Sequence, residues 1–252
     1  MPRFGPYVSV ADRRKLAARA MEKLRKKGHV PAPIAIEGRD IAQTFWGRAW
    51  CDNLEAYSDF ASRLPRGRTY VRNGSVVDLQ ISVGEIRAVV SGSELYEVTI
   101  NVAAVPKARW NAICKDSAGA IDSLVELLQG RLSMGVMERL CRQRSGLFPA
   151  PDEIELDCSC PDHATMCKHV AAVLYGIGAR LDEQPELLFR LREVDHQQLI
   201  ARADQGIVLA TSGKRKTGKS RIMQGADLSA LFGLDLGAPV APAPAPKRKR
   251  RS

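Results

Sequence analysis

Four side chains that bind transition metals, spaced over twelve residues, constrain this chain more than any other feature. One residue separates Cys158 from Cys160, and after six more residues Cys167 and His169 repeat that spacing. Zinc takes four ligands tetrahedrally, and three thiolates with one imidazole are one of its structural sets. The alternative is a group of buried free thiols. Because three of the six cysteines fall within ten residues, beside a histidine, the pattern favours a zinc site.

The same spacing predicts the structure around the ion. Residues i and i+2 lie on the same side of a strand, so Cys158 and Cys160 can face one ion. In a helix those positions point nearly opposite ways, so we place Cys167 at a helix entry and His169 in the first turn. Upstream, residues 153–157 alternate as a strand does. Downstream, apolar residues with helical spacing predict a helix buried along one face, namely Val170, Val173, Leu174, Ile177 and Leu181.

This arrangement of strand, thiolate turn, loop and helix resembles the SWIM zinc finger, a family found beside or within Swi/Snf-type helicases and Mutator-type transposases. Two longer strings, CSCPD…CKHVAAVLYGIGARLDEQPELLFRLR and TFWGRAWCDNLE, resemble the bacterial stand-alone SWIM proteins and lie within residues 40–195. The resemblance implies the same four zinc ligands and an accessory role beside a Swi/Snf-type helicase. Whether His163 in the loop competes as a ligand stays open.

Composition narrows the class of protein. The chain has 252 residues, of which 45% are apolar and 26% charged, as in globular proteins with one or two domains. We expect no secretory signal and no membrane span, because no apolar run is long enough. The other cysteines, Cys51, Cys114 and Cys141, are isolated, which is typical of reducing cytosol. The sequence therefore predicts a cytoplasmic protein.

A net charge of +10 indicates acidic partners, nucleic acid among them. Residues 10–27 predict a polybasic helix that stops at Gly28. Such a helix can lie along a phosphate backbone, and it can equally be a solvated face. Both interpretations stay open at this point.

An α+β domain is expected between this helix and the zinc site. Residues 41–57 predict a helix that buries Phe45 and the two tryptophans that follow as core rather than as stacking platforms. From Tyr70 to Val102 the period is two, and Asn73-Gly74 is a hairpin signal. We expect an antiparallel meander of about four strands there, with one face buried and an acidic outer face. Helical segments follow between residues 106 and 146, and short helices follow the finger.

The C-terminal part is basic and of low complexity. Residues 213–220 match the P-loop pattern, but only 32 residues follow, too few for an NTPase sheet, so we interpret the match as a flexible linker. An apolar segment, Leu228–Leu234, either docks on a partner or folds back on its own domain. The last residues are a proline-rich spacer with a cationic tip, suited to nucleic-acid contact.

The sequence thus predicts an α+β fold in three parts: a domain at residues 1–148, the finger and trailing helices at 149–205, and a disordered basic tail at 206–252. We expect a zinc-binding, non-catalytic protein that binds DNA or adapts a DNA-handling partner, since four protein ligands leave no open position on the zinc. The alternative is a protein–protein interaction module that binds no nucleic acid. Chelation of the zinc is expected to unfold residues 153–181 and to leave the meander intact.

Overall fold

The computed structural model describes residues 8–56, 63–121, 123–162 and 164–200. In these residues the helices are α1 (Val10–Lys26), α2 (Phe45–Glu55), α3 (Leu64–Arg72), α4 (Lys107–Asp116), α5 (Leu124–Gln129), α6 (Met134–Cys141), α7 (Lys168–Glu183) and α8 (Glu186–Leu191). The strands are β1 (Val76–Ile81), β2 (Glu85–Ser91), β3 (Leu95–Val102) and β4 (Ile154–Cys158). His163, the P-loop match, the Leu228–Leu234 segment and the basic tail lie outside the described residues.

The four strands form one antiparallel sheet in the order β1-β2-β3-β4. In β4, Leu156 lies opposite Ile100 of β3, and Cys158 lies opposite Val98. The strand that leads into the predicted zinc site is therefore the fourth strand of the N-terminal meander. This sheet and its packed helices confirm the predicted α+β class, while the boundary at residue 148 stays a prediction.

The prediction of four strands between Tyr70 and Val102 is wrong, because that stretch contains three. Tyr70 lies in α3, and Asn73-Gly74 ends this helix instead of turning a hairpin. Gly74 has a φ of +68°, a left-handed conformation that helix ends and hairpin turns both use. An Asn-Gly pair therefore does not distinguish the two structures by itself.

The outer face of the sheet, predicted to be an open acidic surface, is partly covered by α1. Ala17 and Ala20 of α1 form a small buried cluster with Val77 of β1. Asp78 is also buried, and its carboxylate bonds to Nε2 of His29 at 2.7 Å and accepts the N–H of Ala32 at 2.9 Å. Asp78 therefore anchors the connector after α1, and the expectation of one buried face is wrong here.

Helix α7 is buried on all sides, rather than along the single face that the apolar period predicted. Eleven of its sixteen residues are buried, and the helix packs against α2, α3 and the sheet. Its sides carry small residues, including Ala171 and Gly178, which let neighbouring helices approach closely. A helix that is apolar all round belongs in a core. Helix α7 is the central element of the fold.

The tryptophans of α2 are core residues, as predicted. Trp46 and Trp50 are 0% and 3% exposed. Their indole N–H groups donate to the backbone carbonyls of Leu127 at 2.9 Å and Leu174 at 2.8 Å. Phe45 is only partly buried. Both indole N–H groups therefore have hydrogen-bond partners inside the protein, and the buried rings are not available to stack on a base.

A buried arginine joins the end of α8 to the beginning of β4. Arg192 is fully buried and donates to Glu153 Oε2 and to the carbonyl of Leu147, each at 3.1 Å, and to the carbonyl of Ala103. Burial lowers the pKa of the Arg192 guanidinium, and the Glu153 carboxylate opposes that shift. A buried charge needs such partners. The network fixes the approach to β4, which carries the first cysteine of the cluster.

None of the helices in the described part of the chain has both the length and the apolar character of a membrane span.

The packing of α3 on α7 predicts the effect of one substitution. A Cβ at Gly67 would lie 2.5 Å from the Cβ of Ala171, so we expect Gly67→Ala to lower the free energy of unfolding by about 1–3 kcal/mol through overpacking. Gly135 of α6 is the control, because a Cβ there meets nothing within 4 Å. Gly135→Ala should stabilise the protein by about 0.5–1 kcal/mol through helix propensity. Urea denaturation measures both, and equal effects of the two variants would contradict this account of the packing.

Candidate metal centre

The end of β4 positions the first two cysteines. Cys158 is the last residue of β4, and the following turn is fastened to β3 by two hydrogen bonds. The backbone N–H of Ser159 donates to the carbonyl of Glu97, and the N–H of Glu97 donates to the hydroxyl of Ser159, each at 3.0 Å. The turn therefore carries Cys160 past the strand end while Cys158 stays in the sheet.

The beginning of α7 positions the other two residues. Cys167 is the N-cap of α7, with extended backbone angles, and its Sγ accepts the N–H of Val170 at 3.5 Å. His169 follows in the first turn and is 1% exposed. This confirms the predicted placement of Cys167 at the helix entry and His169 within the first turn.

The four side chains meet in one cluster. The three Sγ atoms and the imidazole nitrogen of His169 all lie within 4.8 Å of one another. Nδ1 of His169 is 3.8 Å from Sγ of Cys158 and 3.8 Å from Sγ of Cys167. A tetrahedron with Zn–S and Zn–N bonds of about 2.3 and 2.0 Å has edges of about 3.5–3.8 Å. The donor set and spacing therefore fit zinc, and the geometry selects Nδ1 as the nitrogen that would bind it.

The electrostatics of the cluster favour a thiolate. The pKa of the Cys167 thiol lies well below its usual value, chiefly because the Cys158 thiol donates a hydrogen bond to it, with further hydrogen bonds from His169 and the N–H of Val170. The pKa of Cys158 is raised, because this thiol keeps the shared proton and is partly buried. Burial also raises the pKa of Cys160. Zinc binds thiolates, so binding must release these protons and weakens as the pH falls.

Two tyrosines hold the imidazole of His169. The Tyr96 ring stacks on it with centroids 4.2 Å apart, and Tyr70 packs edge-on at 5.4 Å. Nε2 of His169 is buried and has no hydrogen-bond partner among the described residues. Aromatic packing therefore sets the ring orientation that a hydrogen bond sets in many zinc sites. Sequence reasoning missed this role of both tyrosines, although Tyr96 lies within the stretch whose period of two predicted strands.

The cysteines outside the cluster have the character of structural thiols, since Cys114 is buried and Cys51 and Cys141 are half-buried. Burial raises the pKa of Cys51 to about 12 and that of Cys141 to about 11. Both thiols are therefore protonated at neutral pH, whereas a nucleophilic cysteine needs a lowered pKa. His196 packs beside the ring of Phe189, with centroids 5.5 Å apart.

A closed set of four protein ligands between a strand end and a helix entry defines a structural zinc finger. Residues 144–176 match the family model of the SWIM zinc finger. The three cysteines and the histidine clustered in this segment are positioned to bind a metal ion, consistent with zinc. The SWIM resemblance of the sequence is thereby confirmed.

A longer comparison extends beyond the finger. The chain is 34% identical over 164 residues to "Uncharacterized protein Rv2102" of Mycobacterium tuberculosis, an alignment that covers 64% of this chain and 59% of the relative. The chain thus spans about three-fifths of the relative's length. No solved structure matches the chain significantly.

The ligand set predicts a distinct metal content for two cysteine variants. The parent protein should contain about one zinc per chain, and Cys160→Ser should lose most of it, because a hydroxyl replaces one of the four ligands. Cys141→Ser is the matched control, since this half-buried cysteine lies outside the cluster. Elemental analysis of the dialysed proteins measures both. Full zinc retention in Cys160→Ser, or equal loss in Cys141→Ser, would refute the ligand assignment.

Proposed function

We propose that this protein is a non-catalytic, zinc-stabilised adaptor that binds nucleic acid through the basic outer face of α1. The observation that carries the proposal is the charge of that helix. α1 contains seven lysines and arginines but only two acidic residues, Asp12 and Glu22. Six of its cations are exposed, namely Arg14, Lys15, Arg19, Lys23, Arg25 and Lys26.

Most of this charge has no partner within the described part of the chain. Lys15 lies 3.8 Å from Asp12, and Lys26 lies 2.7 Å from Glu22. Both pairs are strongly exposed, so each contributes little. No ion pair of the described residues includes the other exposed cations of α1. A rigid row of such cations suits the sequence-independent attraction of a phosphate backbone.

The chemistry of the cysteines supports a role without catalysis. Four protein ligands leave the zinc no open position for an activated water. The raised pKa of Cys51 and Cys141 makes these thiols poor nucleophiles. We assign to zinc the structural role of joining the sheet to α7, and we place the protein in the cytoplasm on the basis of its isolated thiols.

The second candidate is a protein–protein interaction module. It is favoured by apolar side chains at the beginnings of α5 and α6, where Leu124, Val125 and Met134 are 37%, 56% and 78% exposed. The partner that the SWIM resemblance implies is a Swi/Snf-type helicase. Both functions are compatible in an adaptor, since the two surfaces are on different helices.

Neutralising α1 should weaken DNA binding and its dependence on salt. The variant Arg14→Gln/Arg19→Gln/Lys23→Gln removes three exposed cations of α1, while Lys107→Gln/Lys115→Gln/Arg131→Gln removes three exposed cations elsewhere. The slope of log affinity against log salt becomes shallower by about 0.9 for each duplex phosphate that the protein no longer neutralises, so the α1 variant should reduce it by up to about 2.7. Fluorescence anisotropy of a labelled duplex measures the slope. Deletion of residues 241–252 should also weaken binding.

Two results would count against nucleic-acid binding through α1. The first is no measurable DNA binding by the zinc-loaded parent at low salt, which would favour the protein–protein module. The second is an equal reduction of slope in the α1 variant and its control, which would show that net charge alone determines the interaction.

A further inference from the structure

Cations from two helices lie over one aromatic ring beside the candidate zinc ligand His169, and the helix that carries the ring has another cation one turn away. The guanidinium carbon of Arg13 in α1 lies 5.0 Å from the centroid of the Tyr70 ring, and Nζ of Lys168 in α7 lies 6.0 Å from it. Arg66 is exposed on α3 one turn before Tyr70, and residues four apart share a helix face. Tyr70 therefore lies beside cations of α1 and α7, and Arg66 is exposed on the same face of α3.

The rigid parts of the fold hold this cluster in place. The backbone carbonyl of Arg13 accepts the hydroxyl of Ser91 at 2.9 Å, and Ser91 is fully buried in the sheet. Lys168 directly follows Cys167, the N-cap of α7. The Tyr70 ring packs against His169 with centroids 5.4 Å apart. The positions of the cations thus depend on the sheet and on the zinc finger, not on a loop.

The cluster also lacks a counter-charge within the described residues. Among their ion pairs, none includes Arg13, Arg66 or Lys168, and Nε of Arg13 is buried without a hydrogen-bond partner. Asp12, the neighbour of Arg13 in the sequence, lies 3.8 Å from Lys15, and Asp162 of the finger pairs with Arg63 at 3.2 Å. Arg13 and Lys168 are half-buried, Arg66 is exposed, and all three lack an ion-pair partner among the described residues, which favours an anion from outside.

We propose that Arg13, Arg66 and Lys168 form a phosphate-contact site for a nucleic-acid backbone at the rim of the zinc finger. The site rests on the proposed function and extends the basic face of α1 to the finger. Tyr70 supports the cations, because its ring already contacts Arg13, Lys168 and His169 and is not free to stack on a base. The site therefore recognises the backbone rather than the sequence, and duplexes of different sequence bind alike.

The contact with His169 makes this site dependent on the metal. His169 is both a zinc ligand and a neighbour of Tyr70, and Lys168 lies between two ligands in the chain. Removal of zinc frees the imidazole and the entry of α7, so the three cations lose their common geometry. Chelation should lower DNA affinity even though it removes no positive side chain.

The test uses the full-length, zinc-loaded protein and two labelled duplexes. The second duplex has the shuffled sequence of the first. Arg66→Gln/Lys168→Gln should lower the salt slope by about 1.8, the value for two neutralised phosphates. Lys107→Gln/Lys115→Gln, which removes the same number of positive charges, is the control and should change the salt slope less. Tyr70→Leu, which keeps every cation, should also weaken binding, whereas Tyr70→Phe should not. Zinc content is measured for each variant, and DNA binding is compared at equal zinc occupancy.

Each other outcome would overturn part of this account. One such outcome is a steep salt slope in the parent that Arg66→Gln/Lys168→Gln and its control reduce by the same amount. That result would reject the phosphate site and leave the proposed function standing. Absence of DNA binding by the parent would reject both the phosphate site and the proposed function. A marked preference for one duplex would reject readout of the backbone alone. Competition by polyglutamate as strong as competition by a duplex of equal charge would identify acidic protein surfaces as the ligand instead.

Discussion

The fold brings the edge of a sheet and the beginning of its central helix together at one candidate zinc site. Cys158 ends β4, which is paired with β3, and Cys167 begins α7, which is buried on all sides. One ion bound to both closes the contact between the two elements. Structural zinc contributes about 10–16 kcal/mol of apparent binding free energy in finger peptides, as much as the whole stability of a typical domain. Because β4 is paired with β3 in the same sheet, we expect zinc to stabilise the common core. This replaces the expectation from sequence that chelation unfolds residues 153–181 and leaves the meander intact.

The surroundings of His169 connect this metal site to the cations around Tyr70. Tyr96 of β3 stacks on the imidazole, and Tyr70 of α3 packs against it while contacting cations from α1 and α7. Close packing of α3 on α7 requires small residues, as Gly67 against Ala171 shows. Under the proposed function, zinc orders a surface that it does not itself form, so that a closed metal site would serve binding without catalysing a reaction.

The sequence predicted those features that depend on local spacing. Zinc coordination is such a feature, because the C-x-C and C-x-H pairs specify a strand end and a helix entry by themselves, and the structure places Cys158 and Cys167 accordingly. Features that depend on distant partners were missed. Asp78 is buried because His29 and Ala32, 49 and 46 residues away, satisfy its carboxylate. The full burial of α7 escaped prediction because alanine and glycine give little periodic signal, although they allow the closest packing.

Amide hydrogen exchange before and after chelation tests most directly whether zinc stabilises the whole core. Since β4 belongs to the meander and α7 packs against it, removal of zinc should lower the protection of β1, β2 and β3 together with that of β4 and α7. Readdition of zinc should restore protection in all of them. Loss of protection confined to residues 153–181, with the three N-terminal strands unchanged, would show that the finger unfolds on its own and would contradict this account.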